Sequence, residues 1–288
     1  MATLQDKLLT KLSQLDDLPT LPGIVFELER ALVDEATGAT EVALIIEEDP
    51  SMTANVLRAA NSVLYISSTS GTIGTVKEAV ARVGFREVRR LVTAAALIQT
   101  FAQVGKHLDH RRFWAHSLRA AVGARAICQH AKSTTLLGED EAYVSGLLHD
   151  IGLLIFDQYF PDVFSEIQTV ADEQKTSYVE AERSVLGMDH AEIGGRFLDL
   201  SNLPGDVVAA AMWHNQPERA EAAYRGLAEV VCLAETVCTA LEAEDDGSDL
   251  AEALCAKAWE GLGLAADGMR AIIKSIQTES QSYISFLI

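Results

Sequence analysis

Helix-start signatures recur along this chain, at Thr75-x-x-Glu78, Ser177-x-x-Glu180, Asp189-x-x-Glu192 and Asp249-x-x-Glu252. In each, a short polar side chain can accept from the amide three residues on, and the glutamate can reach back to the cap. That pairing satisfies donors which a helix end otherwise leaves open. Asp49-Pro50 adds a cap residue ahead of a proline at the first helical position, where a missing N–H costs nothing. No segment alternates apolar and polar residues between turn signals, so no strand is expected. The chain should be all-α, built from a dozen or so helices of ordinary length.

Breaks in the pattern suggest an organisation. Residues 1–105 read as short helices interrupted by Leu18-Pro19-Thr20-Leu21-Pro22 and by a Ser/Thr/Gly loop from Ser67 to Thr75. Residues 106–245 carry the histidines and read as a helical core. The acidic run Glu242 to Asp249 has the composition of a solvated linker. Within residues 246–288, two amphipathic segments follow, Leu250 to Gly261 and Ala266 to Leu287. No flexible spacer lies near residue 105, so the N-terminal helices are expected to pack on the core. No repeat of fixed period is present.

Composition excludes several classes. Of 288 residues, 49% are hydrophobic and 23% charged, which is globular and not disordered composition. Lys plus Arg number 23 against 42 acids, a net charge of −19 that repels phosphate backbones, so general nucleic-acid binding is not expected. No run of about 18 apolar residues marks a membrane span, and the polar N-terminus has no signal-peptide core. The cysteines Cys128, Cys232, Cys238 and Cys255 show no CxxC spacing. They read as reduced thiols of a cytoplasmic protein, with Cys232 and Cys238 in helix core.

The chemistry-bearing residues are histidines. His116, His149, His190 and His214 each fall in or beside a different expected helix, and His149 is followed directly by Asp150. Imidazole and carboxylate suit divalent metals such as Fe, Mn or Zn, and ligands spread over several helices are how bundles build metal sites in their cores. The same residues could instead form a buried hydrogen-bonded cluster without metal. His190 could be a surface residue at a helix start, and His214 the polar end of a packed helix. His107, His110 and His130 read as surface residues. Asn61 reads as a left-handed helix C-cap. Arg82, Arg86, Arg89 and Arg90 form the best candidate for an anion or partner-docking patch, or a solvated helix face pairing with local acids.

These segments resemble a known family. Phe113-Trp114-Ala115-His116, Gly146-Leu147-Leu148-His149-Asp150-Ile151-Gly152, Asp189-His190 with Gly194, and His214-Asn215-Gln216-Pro217 are similar to the HD superfamily. Leu18 to Pro22, Asp49-Pro50 and Asn61-Ser62 are similar to one branch of it, the HDOD (HD-related output) domain. The resemblance runs from about Leu18 to about Leu241. It implies an all-helical bacterial signalling module, generally non-catalytic, whose partners are receiver, kinase or diguanylate-cyclase domains. By the same resemblance His116, His149 and Asp150 match HD metal ligands. His190 and His214 match the second-metal positions of HD-GYP phosphodiesterases, and Glu235 stands where the last HD aspartate is expected.

The departures weigh against catalysis. Asn215 replaces the second histidine of a His-His pair, and a neutral amide is a poor transition-metal ligand. Leu153 stands where HD-GYP enzymes carry a lysine, which removes a cation that phosphoryl chemistry would use. The Gly-Tyr-Pro signature is absent. The expectation is therefore a signal-transduction output or scaffold module with a degenerate HD site, holding either no cofactor or a divalent metal. The alternative is a metal-dependent phosphohydrolase acting on a nucleotide or cyclic dinucleotide.

Overall fold

The computed structural model describes residues 4–13, 23–33, 37–62, 64–65, 72–102, 105, 107–131, 138–242 and 262–288. Among these the secondary structure is helical throughout, with no strand. The Leu18 to Pro22 breaker, most of the Ser67 to Thr75 loop, the acidic run beyond Glu242, the Leu250 to Gly261 segment and Cys255 lie outside the described residues. No helix among the described residues is long and apolar enough to cross a membrane.

Backbone contacts divide the chain into two units, one of Met1–Leu18 with Gln103–Ile273, the other of Pro19–Ala102 with Lys274–Ile288. In the second unit lie α2 (Gly23–Val33), α3 (Ala39–Glu47), α4 (Pro50–Ala60), α5 (Val76–Val83) and α6 (Phe85–Thr100). Asp49 caps α4, its Oδ1 accepting from Ser51 N at 2.7 Å and Met52 N at 3.2 Å, with Pro50 at the first helical position. Thr75 and Glu78 close a reciprocal capping box at the start of α5. Val42, Ile46, Met52, Val56, Val80, Val88 and Val92 fill the core of this unit. Asn61 does close α4, but at φ −97°, so the left-handed conformation expected for it is not adopted. Its side-chain amide makes the local turn unnecessary, donating to Leu57 O (3.0 Å) and Ile73 O (2.9 Å) and accepting from Ile73 N (2.8 Å).

The first unit holds α1 (Leu4–Ser13), α7 (His110–His130), α8 (Glu139–Leu148), α9 (Ile151–Tyr159), α10 (Pro161–Gln174), α11 (Tyr178–Leu186), α12 (His190–Leu200), α13 (Gly205–Trp213) and α14 (Arg225–Glu242). A last helix, α15, runs over Ala266–Leu287, the range expected for the terminal amphipathic segment. The α1 helix groups with the histidine-bearing helices: Leu8 and Leu12 are buried, and Lys11 donates to Tyr159 O at 3.2 Å. Ser177 and Glu180 cap α11 as expected. Asp189 caps α12, accepting from Glu192 N at 3.1 Å while Arg183 holds its other oxygen.

Two close helix crossings set the geometry of the interior. Gly146 on α8 packs against the backbone of α7, where a Cβ would come 2.6 Å from Ala120 O. Gly152 on α9 packs on the start of α12, where a Cβ would overlap His190 O. Both glycines lie within three residues of the His149-Asp150 pair, so the backbones that carry the chemistry approach more closely than any side chain would allow.

Candidate metal centre

The helical run breaks at His149-Asp150. His149 is the C-cap of α8 and Asp150 the N-cap of α9, with φ −96° and ψ 11°. The bend lets two consecutive side chains serve one centre, which mid-helix neighbours about 100° apart do poorly. His190 opens α12, His214 ends α13, and His116 and Glu235 come from α7 and α14. The structure thus brings together all six residues singled out as metal candidates.

Asp150 stands in the middle. Its Oδ2 lies 3.3 Å from His149 Nε2 and 3.8 Å from His116 Nε2. Its Oδ1 lies 3.0 Å from His190 Nε2 and 3.6 Å from His214 Nε2. Glu235 Oε2 touches His149 Nε2 and sits 3.6 Å from His116 Nε2. Two groups of potential ligands result, His116, His149, Asp150 and Glu235 on one side and Asp150, His190 and His214 on the other. They share Asp150, one oxygen to each.

Every imidazole is held by its other nitrogen. His149 Nδ1 is 2.8 Å from Gly146 O, and His214 Nδ1 is 2.8 Å from Ala211 O. A carbonyl only accepts, so both Nδ1 atoms carry the proton. His190 Nδ1 lies 2.8 Å from Glu182 and His116 Nδ1 lies 3.0 Å from Glu242. All four Nε2 atoms therefore face the centre, the orientation that outer hydrogen bonds impose on metal-binding histidines. Buried His149 Nε2, Asp150 Oδ1, His214 Nε2 and Glu235 Oε2 have no aligned hydrogen-bond partner among the described residues. Polar atoms left so, inside a protein, suit a cation as the missing partner.

The electrostatics agree. Burial opposes charge on His149, but the carboxylates of Asp150 and Glu235 outweigh it and lift the imidazole to about 9. His116 and His190 are also raised, burial being overcome by Glu235 and Glu242 at the first and by Glu182 and Asp150 at the second. Burial, then the charge on His149, lowers His214 to about 4 and keeps it neutral. Although burial pushes the other way, the histidines hold the Asp150 and Glu235 carboxyls below the usual carboxylate range.

Several sequence readings need correction. His190 is not a surface residue: its side chain is 8% exposed, because the α9–α12 crossing at Gly152 covers it. His110 is half-buried with Nε2 3.8 Å from Asp157 Oδ2, while His107 and His130 are exposed. The arginine group does not form one exposed patch. Arg90 is buried and pairs with Glu87 at 3.0 Å, and only Arg86 of the four is exposed, Arg82 and Arg89 being intermediate. Cys238 is buried as expected, and Cys232 is intermediate. Glu182 and Glu242, which pair with His190 and His116, and Arg119, which pairs with Glu242, leave no local trace in the sequence.

The HDOD domain family profile matches residues 18–217. An HDOD domain protein of unknown function from Geobacter sulfurreducens is 27% identical, with 98% of this chain and 97% of that one covered and a TM-score of 0.81. A Shewanella amazonensis SB2B protein bearing the name of a phosphohydrolase is 24% identical, with 100% of both chains covered and a TM-score of 0.77. A Marinobacter aquaeolei VT8 protein bearing the name of a signal transduction protein is 21% identical, with 100% of this chain and 61% of that one covered and a TM-score of 0.73. The last two likenesses concern the fold. The chain spans 44% of the length of the curated relative it matches.

Proposed function

The chain belongs to the HDOD domain family, and on that premise we propose that it is a signal-output module whose centre binds a divalent metal without turning over phosphoesters. One observation carries the metal: four imidazoles, each fixed through Nδ1, aim Nε2 at the two oxygens of Asp150. His116, His149, Asp150 and Glu235 would hold one ion, and Asp150, His190 and His214 a second. A mixed imidazole and carboxylate set suits Fe, Mn or Zn. Such ions supply Lewis acidity and charge, and here the first would tie together four helices, α7, α8, α9 and α14, and the second three, α9, α12 and α13.

The absence of turnover is argued from charge. Leu153 offers no cation to a phosphoryl group, and the guanidinium of Arg119 is already spent on Glu242 at 3.0 Å. Asp150, Glu235, Glu242 and Glu182 surround the centre, and the chain carries −19 overall. Loss of one electrostatic contact to a developing oxyanion typically costs about 10²–10³ in rate. The signalling role rests on the family resemblance and on the name of the Marinobacter relative, with receiver, kinase or cyclase domains as partners.

A second reading is favoured by a specific feature. Two ligand groups sharing one carboxylate are the arrangement a two-ion phosphohydrolase uses, and the Shewanella relative bears that name. The test is metal content of protein purified without added metal, followed by cyclic dinucleotide turnover of Mn- or Fe-loaded protein against a His149→Ala/Asp150→Ala blank. Bound metal with turnover at the blank level is expected. Turnover well above the blank would establish the phosphohydrolase, and no bound metal would remove the metal-holding reading.

A further inference from the structure

Of the four imidazoles, His116 is anchored differently. His149 and His214 lean on backbone carbonyls, and His190 on Glu182, whose side chain is wholly buried. The partner of His116 is Glu242, in the last turn of α14, with 23% of its side chain exposed. Glu242 and Glu235 are seven residues apart on one helix, about two turns, and so share a face. One face of α14 therefore delivers both a candidate ligand and the group that orients another. Arg119 lies one turn beyond His116 on α7, and its Nη1 donates at 3.0 Å to the same Glu242 Oε1 that faces His116 Nδ1.

We infer that Glu242 is a positioning residue for the first ligand group, holding the His116 proton on Nδ1 and aiming Nε2 at Asp150 and Glu235, while Arg119 fixes the Glu242 carboxylate. The inference rests on the metal-holding reading above. Its physical basis is tautomer choice. A neutral imidazole ligates through the nitrogen without the proton, and the hydrogen bond at the other nitrogen decides which one that is. Without Glu242, nothing else described contacts His116 Nδ1, and the ring is free to turn or to carry its proton on the ligating side. Loss of such an outer partner typically weakens metal binding about 10–100-fold. The effect should stay local, because His190 and His214 keep anchors of their own.

The experiment is a titration of the metal-free full chain with Co²⁺, followed by visible absorption and calorimetry, for the wild type, Glu242→Ala, Glu242→Gln and Glu182→Gln. Glu242→Ala should weaken one of two binding events about 10–100-fold and leave the other unchanged. Glu242→Gln should retain most of the affinity, since its amide oxygen still accepts. Glu182→Gln should weaken the opposite event, because Glu182 uses both carboxylate oxygens on His190 and an amide would set an N–H against one of its donors. Unchanged binding in Glu242→Ala, or equal weakening of both events, would overturn the inference. A readout without metal separates its failure from that of the proposed function. In ¹⁵N-edited spectra of metal-free protein, a protected Nδ1 proton of His116 should be present in the wild type and in Glu242→Gln and absent in Glu242→Ala. If the wild type binds no Co²⁺ the metal reading fails, and a missing Nδ1 resonance in the wild type would sink the positioning role by itself. Melting temperatures of the metal-free Glu242 variants close to wild type are expected, Glu242 being partly exposed.

Discussion

Glu182 grips His190 twice, its carboxylate accepting from the backbone N–H at 2.9 Å and from Nδ1 at 2.8 Å. The carboxylate is buried, the imidazole beyond it meets Asp150, and the whole chain of contacts spans α11, α12 and α9. Removing one partner of a buried pair leaves the other charge stranded, which typically costs about 3–5 kcal/mol. Glu182→Ala should therefore lower unfolding free energy by about that amount, measured by urea denaturation. A loss below about 1 kcal/mol would show that the pair adds nothing to the fold.

Asp150 serves both ligand groups through separate oxygens. Asp150→Ala should abolish binding at both positions, whereas His116→Ala should weaken the first and His214→Ala the second. Metal stoichiometry of the three variants, measured after equilibration with Mn²⁺ and desalting, distinguishes these patterns. Full loading of Asp150→Ala would refute the shared-carboxylate arrangement.

Gly152 has no room for a side chain against His190 O. Gly152→Ala must push α12 away from α9, and overpacking of this kind typically costs about 1–3 kcal/mol. Because the displaced residue is His190 itself, the same variant should weaken the second metal position. The combined readout is melting temperature of the metal-free protein with Co²⁺ affinity, and a gain in stability would contradict the crossing geometry.

Acidity should act in opposite senses with and without metal. His149 titrates near 9 in the metal-free fold against an ordinary 6.5, so its ion-pair stabilisation is complete below 6.5 and lost as pH rises through 9. His116 and His190 shift in the same direction. The contribution of His214 changes only between 6.5 and 4, outside this window. The melting temperature of chelator-treated protein should therefore fall from pH 6.5 to 9. With Mn²⁺ it should hold or rise, because protons then compete less with metal for the imidazoles. Parallel profiles would argue against metal at these residues.

The sequence by itself determined what depends on near neighbours. The capping boxes at Thr75 and Ser177, the caps at Asp49 and Asp189 and the terminal amphipathic helix are written within four-residue windows or one helical period, and each is found in place. The pairing of His149 with Asp150 and the spread of His116, His190 and His214 over separate helices were also legible, because the residue types carry their chemistry wherever they fall, whereas Glu235 was marked only by the resemblance to the HD superfamily. Tertiary structure alone decided their relation. That His190 is buried follows from Gly152 letting α9 close on α12, which no local pattern encodes. Asn61 closes its helix without a left-handed turn because Ile73, twelve residues on, supplies the hydrogen bonds. Glu242 meets His116 across 126 residues of sequence. A carboxylate in an acidic run looks like any solvated charge until packing half-buries it between an imidazole and a guanidinium whose protons it accepts.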